Sequence, residues 1–338
     1  MFRWMGRAMS ALVMLVVMVG GSAGQATPEA LTCPDGQRSF DHDLLVSGAV
    51  CVPVAPERVA SLHIIVTDVL LQLGQTPVAA SAPALQAYLR MHPDLEDEFE
   101  VLRETTVDVG LFPNVETVLA SAPDLVFAPV DAFNESQLAA LGEVVPVVVY
   151  RPTFGQWREV VEMVGGALNQ AEPVEALLDD YDQRLEIVRE ALGEDAAEVE
   201  VSLVRTFPDQ IGLVVSGTAG AALLESVGLA RPEAQTVDAE YVADVLGGRP
   251  EILISEEQMP LAEGDVVFVF GDPSELFASP LWGTLKAVRE ERVHEVGYYW
   301  WGDGLRSSHA MLDDVLRHVV GVDPAEVAPN PLAVADEE

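Results

Sequence analysis

The stretch "NVETVLASAPDLVFAP" (residues 114–129) and its echo "DAEYVADVLGGRPEILIS" (238–255) decide the fold. Both open with Asn or Asp and carry a glutamate two residues later, Glu116 and Glu240. Both continue through an apolar stretch of helical period to Pro and an acid, then enter a β-like run. Each therefore reads as a short helix with an acid in its first turn, followed by a buried strand. The spacing from Glu to Pro differs, seven residues after Glu116 and ten after Glu240. The pattern is thus weak internal symmetry and not a tandem repeat. Acids favour helix N-termini through the macrodipole, so the glutamates alone carry no functional message.

Around these two units, strands and helices alternate. "RVASLHII" (58–65) reads as a buried strand and "TDVLLQLG" (67–74) as a helix with Thr67 near its N-cap. "NESQLAALG" has the capping-box spacing of Asn134 and Gln137. "TPVAAS" and "VVPVVVY" read as strands. After a helical middle, alternation resumes with "VEVSLVRT", "IGLVVS", "EILIS", "DVVFVF" and "RVHEVG". This order predicts an α/β protein with parallel sheets covered by helices. In the middle, "VEALLDDYDQRLEIVREALG" places Leu177, Leu178, Tyr181, Leu185, Val188 and Leu192 at helical spacing, with Pro173 in the first turn and Gly193 at the end. A helix of about twenty residues is near 30 Å long, enough to reach from one domain into another. Further expectations are a helix from Ser279–Pro280 to about Glu290, a last helix in "SSHAMLDDVLRHVVG", and a mobile polar tail.

The chain opens with Arg3 and Arg7, an apolar core "ALVMLVVMVGG" and the small residues "SAGQA". That order is a secretory signal peptide cleaved after Ala26, and the apolar run is short for a bilayer-spanning anchor. Cys33 and Cys51 are the two cysteines. In an oxidising compartment their default is a disulfide, worth about 3 kcal/mol in the chain-entropy account. Lipidation of Cys33 is the rival reading; it would leave Cys51 unpaired, and "EALTC" is a poor lipobox. Fifty-five acids face 18 bases, a formal net charge of −37. Such a surface repels a phosphate backbone, so nucleic acid is not an expected partner. Lys286 is the sole lysine.

Enzymatic constellations are missing from the sequence. It has no G-x-S-x-G elbow, P-loop or H-E-x-x-H, and "GDGLRS" (302–307) is a weak dinucleotide match. "SGTAG" (216–220) could cradle an anion at a helix N-terminus, or simply turn the chain. The six histidines are scattered, none at metal-ligand spacing with another His or Cys, so no metal site is expected. More suggestive is "GYYWWGDGLRSS", which sets Tyr298, Tyr299, Trp300 and Trp301 beside a Gly-rich loop and Arg306. Four consecutive aromatics cannot all face one core at strand spacing, so one or two are expected to face a cleft or interface. Arg205 ends a strand, at the edge where α/β sheets bind ligands.

With these residues in view, the chain resembles the periplasmic iron–siderophore-binding proteins of ABC importers, a superfamily that includes vitamin B12 and haem carriers. The resemblance rests on "PERVASLHIIVTDVLLQLGQTPVAAS", "PNVETVLASAPDLVFAP", "QLAALGEVVPVVVY", "SGTAGAALLESVGLARPEAQ", "AEYVADVLGGRPEILI" and "LWGTLKAVREERVHEVGYYWWGDG", in the family's order. It implies two Rossmann-like α/β lobes joined by one long rigid helix, with the ligand between them. The resemblance covers roughly residues 52–320; with the residue reading of the ends, the expected divisions are a signal peptide (1–26), an N-terminal arm (27–51) outside the family pattern, an N-terminal lobe (52–168), the inter-lobe helix (169–193), a C-terminal lobe (194–322) and an acidic tail (323–338). It further implies a monomeric, non-catalytic, cofactor-free carrier, periplasmic or extracellular, that takes an Fe(III)–siderophore complex to a permease dimer in the inner membrane. Glu116 and Glu240 match the family's docking acids. Arg205, Trp300, Trp301, Arg306, Arg103, His63 and Tyr299 are the implied ligand-contacting candidates. Haem or a corrinoid is the alternative cargo, with His63, Tyr298 or Tyr299 available as haem ligands. A metal-chelate enzyme on the same scaffold is the alternative of another class.

Overall fold

The computed structural model describes residues 31–152, 155–208 and 210–333; the expected signal peptide lies outside them. The strands are β1 (Gln37–Phe40), β2 (Val50–Pro53), β3 (Val59–Ser61), β4 (Ala79–Ala80), β5 (Val107–Asp108), β6 (Leu125–Pro129), β7 (Val147–Tyr150), β8 (Val201–Phe207), β9 (Gln210–Val214), β10 (Glu251–Ile254), β11 (Val266–Phe270) and β12 (Val293–Glu295). The N-terminal lobe is an all-parallel sheet ordered β5-β4-β3-β6-β7. The C-terminal lobe is ordered β10-β9-β8-β11-β12; here β9 runs antiparallel to both neighbours and the other four strands run one way. The central strands β6 and β11, "LVFAP" and "VVFVF", are buried along their whole length, as parallel strands covered on both faces must be.

In each lobe the chain order reverses beside a central strand, β3 against β6 and β8 against β11. Such switch points leave a crevice at the carboxyl ends of the strands, because the helices that follow diverge to opposite faces.

The linker helix spans Ala171–Leu192 and ends at Gly193, whose φ of 77° a side chain would disfavour. Val174, Leu178, Tyr181, Leu185 and Val188 form its buried stripe. It lies close against helix Trp157–Ala167, where a Cβ on Gly165 would sit 2.6 Å from Val174. One continuous hydrophobic core runs from Phe127 of the first sheet through Tyr181 to Phe268, Trp300 and Leu312 of the second lobe. Polar pins cross the same junction. Arg306 of helix Leu305–Asp314 pairs with Asp68 of helix Ile64–Gln72 at 3.3 Å, both almost fully buried. Ser307 and His92 Nε2 lie 3.0 Å apart, and the Gly155 amide donates to Asp303 at 3.0 Å.

Before the first lobe, β1 and β2 form a hairpin closed by the Cys33–Cys51 disulfide. Phe40 and Val52 enter the core, and the segment after β1 pairs with β7 through Val46 and Arg151. That pairing covers what would otherwise be an open sheet edge.

Several local expectations change. The strand expected over 58–65 stops at Ser61, because the Ser61 hydroxyl donates to the His63 carbonyl and accepts from Thr67, turning the chain. His63 therefore sits at the N-cap position of the following helix, without a side-chain capping bond, and is not a strand residue. The helix expected over 279–290 is a 3-10 turn at Trp282–Thr284 and a separate helix at Lys286–Arg289. Glu263 re-caps it there, accepting from the Lys286 and Ala287 amides at 2.7 and 3.0 Å. The tail is docked as far as residue 333. Arg184 donates to the Ala328 carbonyl at 2.8 Å, and Arg306 donates to the Leu332 carbonyl at 2.7 Å. Buried guanidinium groups need acceptors, and the tail supplies them.

Removing one partner of a buried pair strands the other charge. Asp68→Ala is expected to lower the unfolding free energy by about 3–5 kcal/mol in urea titrations; a loss below about 1 kcal/mol would show that Arg306 finds another acceptor.

Candidate ligand-binding cleft

The switch point of the first sheet builds one wall of the site. The turn after β3 presents His63 and Ile64, and the turn after β6 presents Asp131. These residues, with Leu62, Phe112 and Pro152, border a cavity of about 470 Å³. Leu111 and Phe112, at its mouth, are 64% and 89% exposed, unusual for such apolar side chains. A second cavity of about 360 Å³ lies between the lobes. His63, Ile64, Tyr88 and Met91 line it from the first lobe, and Trp301 and Asp303 from the second. His63, Ile64 and Pro152 border both cavities, which therefore lie side by side.

Burial dominates the electrostatics. It pushes His63 down to about 4, with the nearby Asp131 opposing it, so the ring is neutral at ordinary pH. His63 Nδ1 and the neighbouring Tyr150 hydroxyl are buried with no hydrogen-bond partner, their rings 6.0 Å apart. Asp303 is pushed up to about 6 by burial, against the backbone amides of Gly155 and Gly304.

The four aromatics of "GYYWW" divide their duties. Trp301 lines the inter-lobe cavity. Trp300 is completely buried, packs on Phe268 at 5.0 Å and donates its indole N–H to Asp314 at 2.8 Å. Tyr299 donates to the same carboxylate at 2.8 Å. Burial still raises Asp314 to about 6 despite the two donors. Tyr298 accepts from Arg205. The reason is local: a 3-10 turn at Tyr298–Trp300 sends successive side chains in different directions.

Arg205 stands behind Trp301. Its guanidinium lies 3.9 Å from the Trp301 ring and 4.2 Å from the Phe207 ring, while Glu251 takes one amino group at 3.5 Å and Tyr298 the other. Arg306 is committed to Asp68 and the tail, so it lines neither cavity. Arg103 is an exposed residue of helix Glu96–Thr105, paired with Glu96 at 3.0 Å. Of the seven sequence candidates, the structure brings His63 and Trp301 into one cavity and sets Arg205 against its wall. Trp300 is a correction: full burial keeps it from any ligand. Arg306 and Tyr299 are likewise held in internal bonds, and Arg103 stands apart. Sequence reasoning missed Asp131, Asp303, Tyr88 and Met91. Asp131 had a readable sign, since it directly follows a buried strand at a switch point.

The paired glutamates keep their symmetry. Asn114 accepts from the Thr117 amide at 2.8 Å, and Asp238 accepts from the Tyr241 amide at 2.7 Å. Glu116 and Glu240 thus occupy the same second helical position in the two lobes, both exposed.

The sequence profile of the family described as "Periplasmic binding protein" matches residues 59–298. The chain belongs to that family. It is 25% identical over 319 residues to the "Probable siderophore-binding lipoprotein" of Bacillus subtilis, covering 90% of this chain and 94% of the relative. It is 26% identical over 293 residues to the achromobactin-binding periplasmic protein of Dickeya dadantii, covering 79% and 87%. Among solved structures, Staphylococcus aureus SirA complexed with staphyloferrin B is 25% identical with a TM-score of 0.64, covering 83% of this chain and 98% of that one. Cys33 is paired with Cys51 in a disulfide. No helix among the described residues is long and apolar enough to cross a membrane.

The depressed His63 has a measurable consequence. Its folded value, about 4, lies below the ordinary 6.5. As pH falls between those values the unfolded chain takes up the proton first, and stability is lost. Urea midpoints at both pH values should show a larger acid loss in the wild type than in His63→Asn. Asp303 and Asp314 act in the opposite direction, but equally in both proteins.

Proposed function

We propose that this protein is an exported substrate-binding protein that captures a ferric siderophore between its lobes and delivers it, as a monomer, to an ABC permease dimer. The mature chain begins after residue 26. The observation that carries the reading is the inter-lobe cavity walled by Trp301 and His63, at the junction where this family's two sheets face one another. Relatives named for siderophore binding support the ligand class. Binding proteins, not enzymes, make up these relatives, which supports capture without turnover. Haem is the second reading, favoured by one observation: His63 Nδ1 is unpartnered at the cavity. Tyr298 and Tyr299 are already engaged and are weaker axial candidates.

Tryptophan fluorescence tests the cargo. A ferric siderophore should quench saturably at sub-micromolar concentration, and Trp301→Ala should weaken it by about tenfold or more, as loss of a buried aromatic anchor does. Saturation by haemin alone would move the assignment to haem, and no response to either would remove it.

Glu116 and Glu240 are the proposed docking acids, one per lobe, facing arginines of the two permease subunits. In vesicles carrying the permease, Glu116→Ala with Glu240→Ala should lower transport several-fold, more than it lowers ligand affinity, with the deficit shrinking at high salt. Equal transport by variant and wild type would refute the docking role.

A further inference from the structure

Among the described residues that line the two neighbouring cavities, the charged ones are Asp131 and Asp303, and none is Lys or Arg. His63, shared by both, is half-buried and neutral. Arg205 lines neither cavity and stands against the lining residue Trp301. Its guanidinium lies 3.9 Å from the Trp301 ring and 4.2 Å from the Phe207 ring, and one N–H of each terminal nitrogen is taken, by Glu251 and by Tyr298. Each terminal nitrogen keeps a second N–H, and Nε is buried with no hydrogen-bond partner. Glu251, on the edge strand β10, is largely buried and pairs with Arg205 across β9 at 3.5 Å, so the pair contributes almost no net charge to the cleft. The whole chain carries a net charge of −37, which adds to the same field.

We infer that the cleft selects ferric complexes of neutral or positive charge, with Asp131 and Asp303 as the charge-selecting residues and Arg205 as a structural support for Trp301. The inference rests on the ferric-siderophore reading above. Three hydroxamates each carry one negative charge, so their Fe(III) complex is neutral, and a pendant ammonium makes it a monocation. A ferric tris-catecholate carries three negative charges. Bringing a trianion beside two carboxylates and a neutral imidazole has no compensating cation in the lining. A pendant ammonium would instead approach Asp131 at the mouth, where the carboxylate is exposed and free to turn toward it.

Fluorescence titration with three probes tests this: a ferric trihydroxamate bearing a free ammonium, its neutral N-acetylated derivative, and a ferric tris-catecholate. The expected order is cation first, neutral complex next and trianion weakest. Asp131→Asn should reduce the preference for cation over neutral complex by about fivefold, the scale of one partly exposed charge pair. Glu251→Gln should improve trianion binding by freeing Arg205. Asp303→Asn should also narrow the cation preference; because Asp303 holds the Gly155 amide, its urea midpoint is measured alongside. Tightest binding of the trianion would overturn the charge inference and leave the siderophore reading intact. So would an unchanged cation-to-neutral ratio in both Asp variants. Binding of haemin, with none of the three ferric complexes bound, would overturn both.

Discussion

The buried contact between Asp68 and Arg306 is the constraint from which the rest of the architecture follows. It joins the first helix of one lobe to the last long helix of the other, beneath the cleft. Around it lie the Gln72 amide on Asp68, the Leu332 carbonyl on Arg306 and the His92–Ser307 contact. A charge pair so desolvated holds only while each member keeps its acceptors and donors. This is why the C-terminal segment folds back over the junction. The linker helix completes the arrangement by carrying one apolar core from sheet to sheet. A wide hinge opening would have to separate these charges and expose that core together.

The cleft then inherits its properties from position. Two sheets present their switch points to a common space, and the turns after β3 and β6 arrive there whatever they contain. The C-terminal lobe adds Trp301, braced from behind by an arginine held between aromatic faces. Stacked guanidinium groups are stiff, so the indole is presented in a fixed attitude. Rigidity of this kind lowers the ordering cost of capture.

Much of this was legible in the chain. The alternation of apolar runs and capped helices indicated α/β lobes, the linker helix was visible with its buried stripe and terminal Gly193, and Asn134–Gln137 formed the expected capping box. The two cysteines paired. Less legible were elements set by distant partners. Glu263 restarts a helix at Lys286, and no local pattern announces that. β9 reverses direction inside an otherwise parallel sheet. The tail reads as polar and loose, yet two buried arginines recruit its carbonyls.

The same division holds at the site. Residue type and an expected strand-end position pointed to His63, Arg205 and the aromatic run; in the structure Arg205 lies two residues inside β8 and His63 lies beyond β3. Which aromatic faces the cleft, and whether Arg205 is open or enclosed, depends on burial and on partners nearly 50 or 100 residues away in the chain, such as Glu251 and Tyr298. The amino-acid order thus determined the elements, their caps, the disulfide and the acidic surface. Only the tertiary structure decided that Trp300 is core and Trp301 is wall, and that Asp131 and Asp303 line neighbouring cavities, since long-range packing alone sets desolvation and pairing.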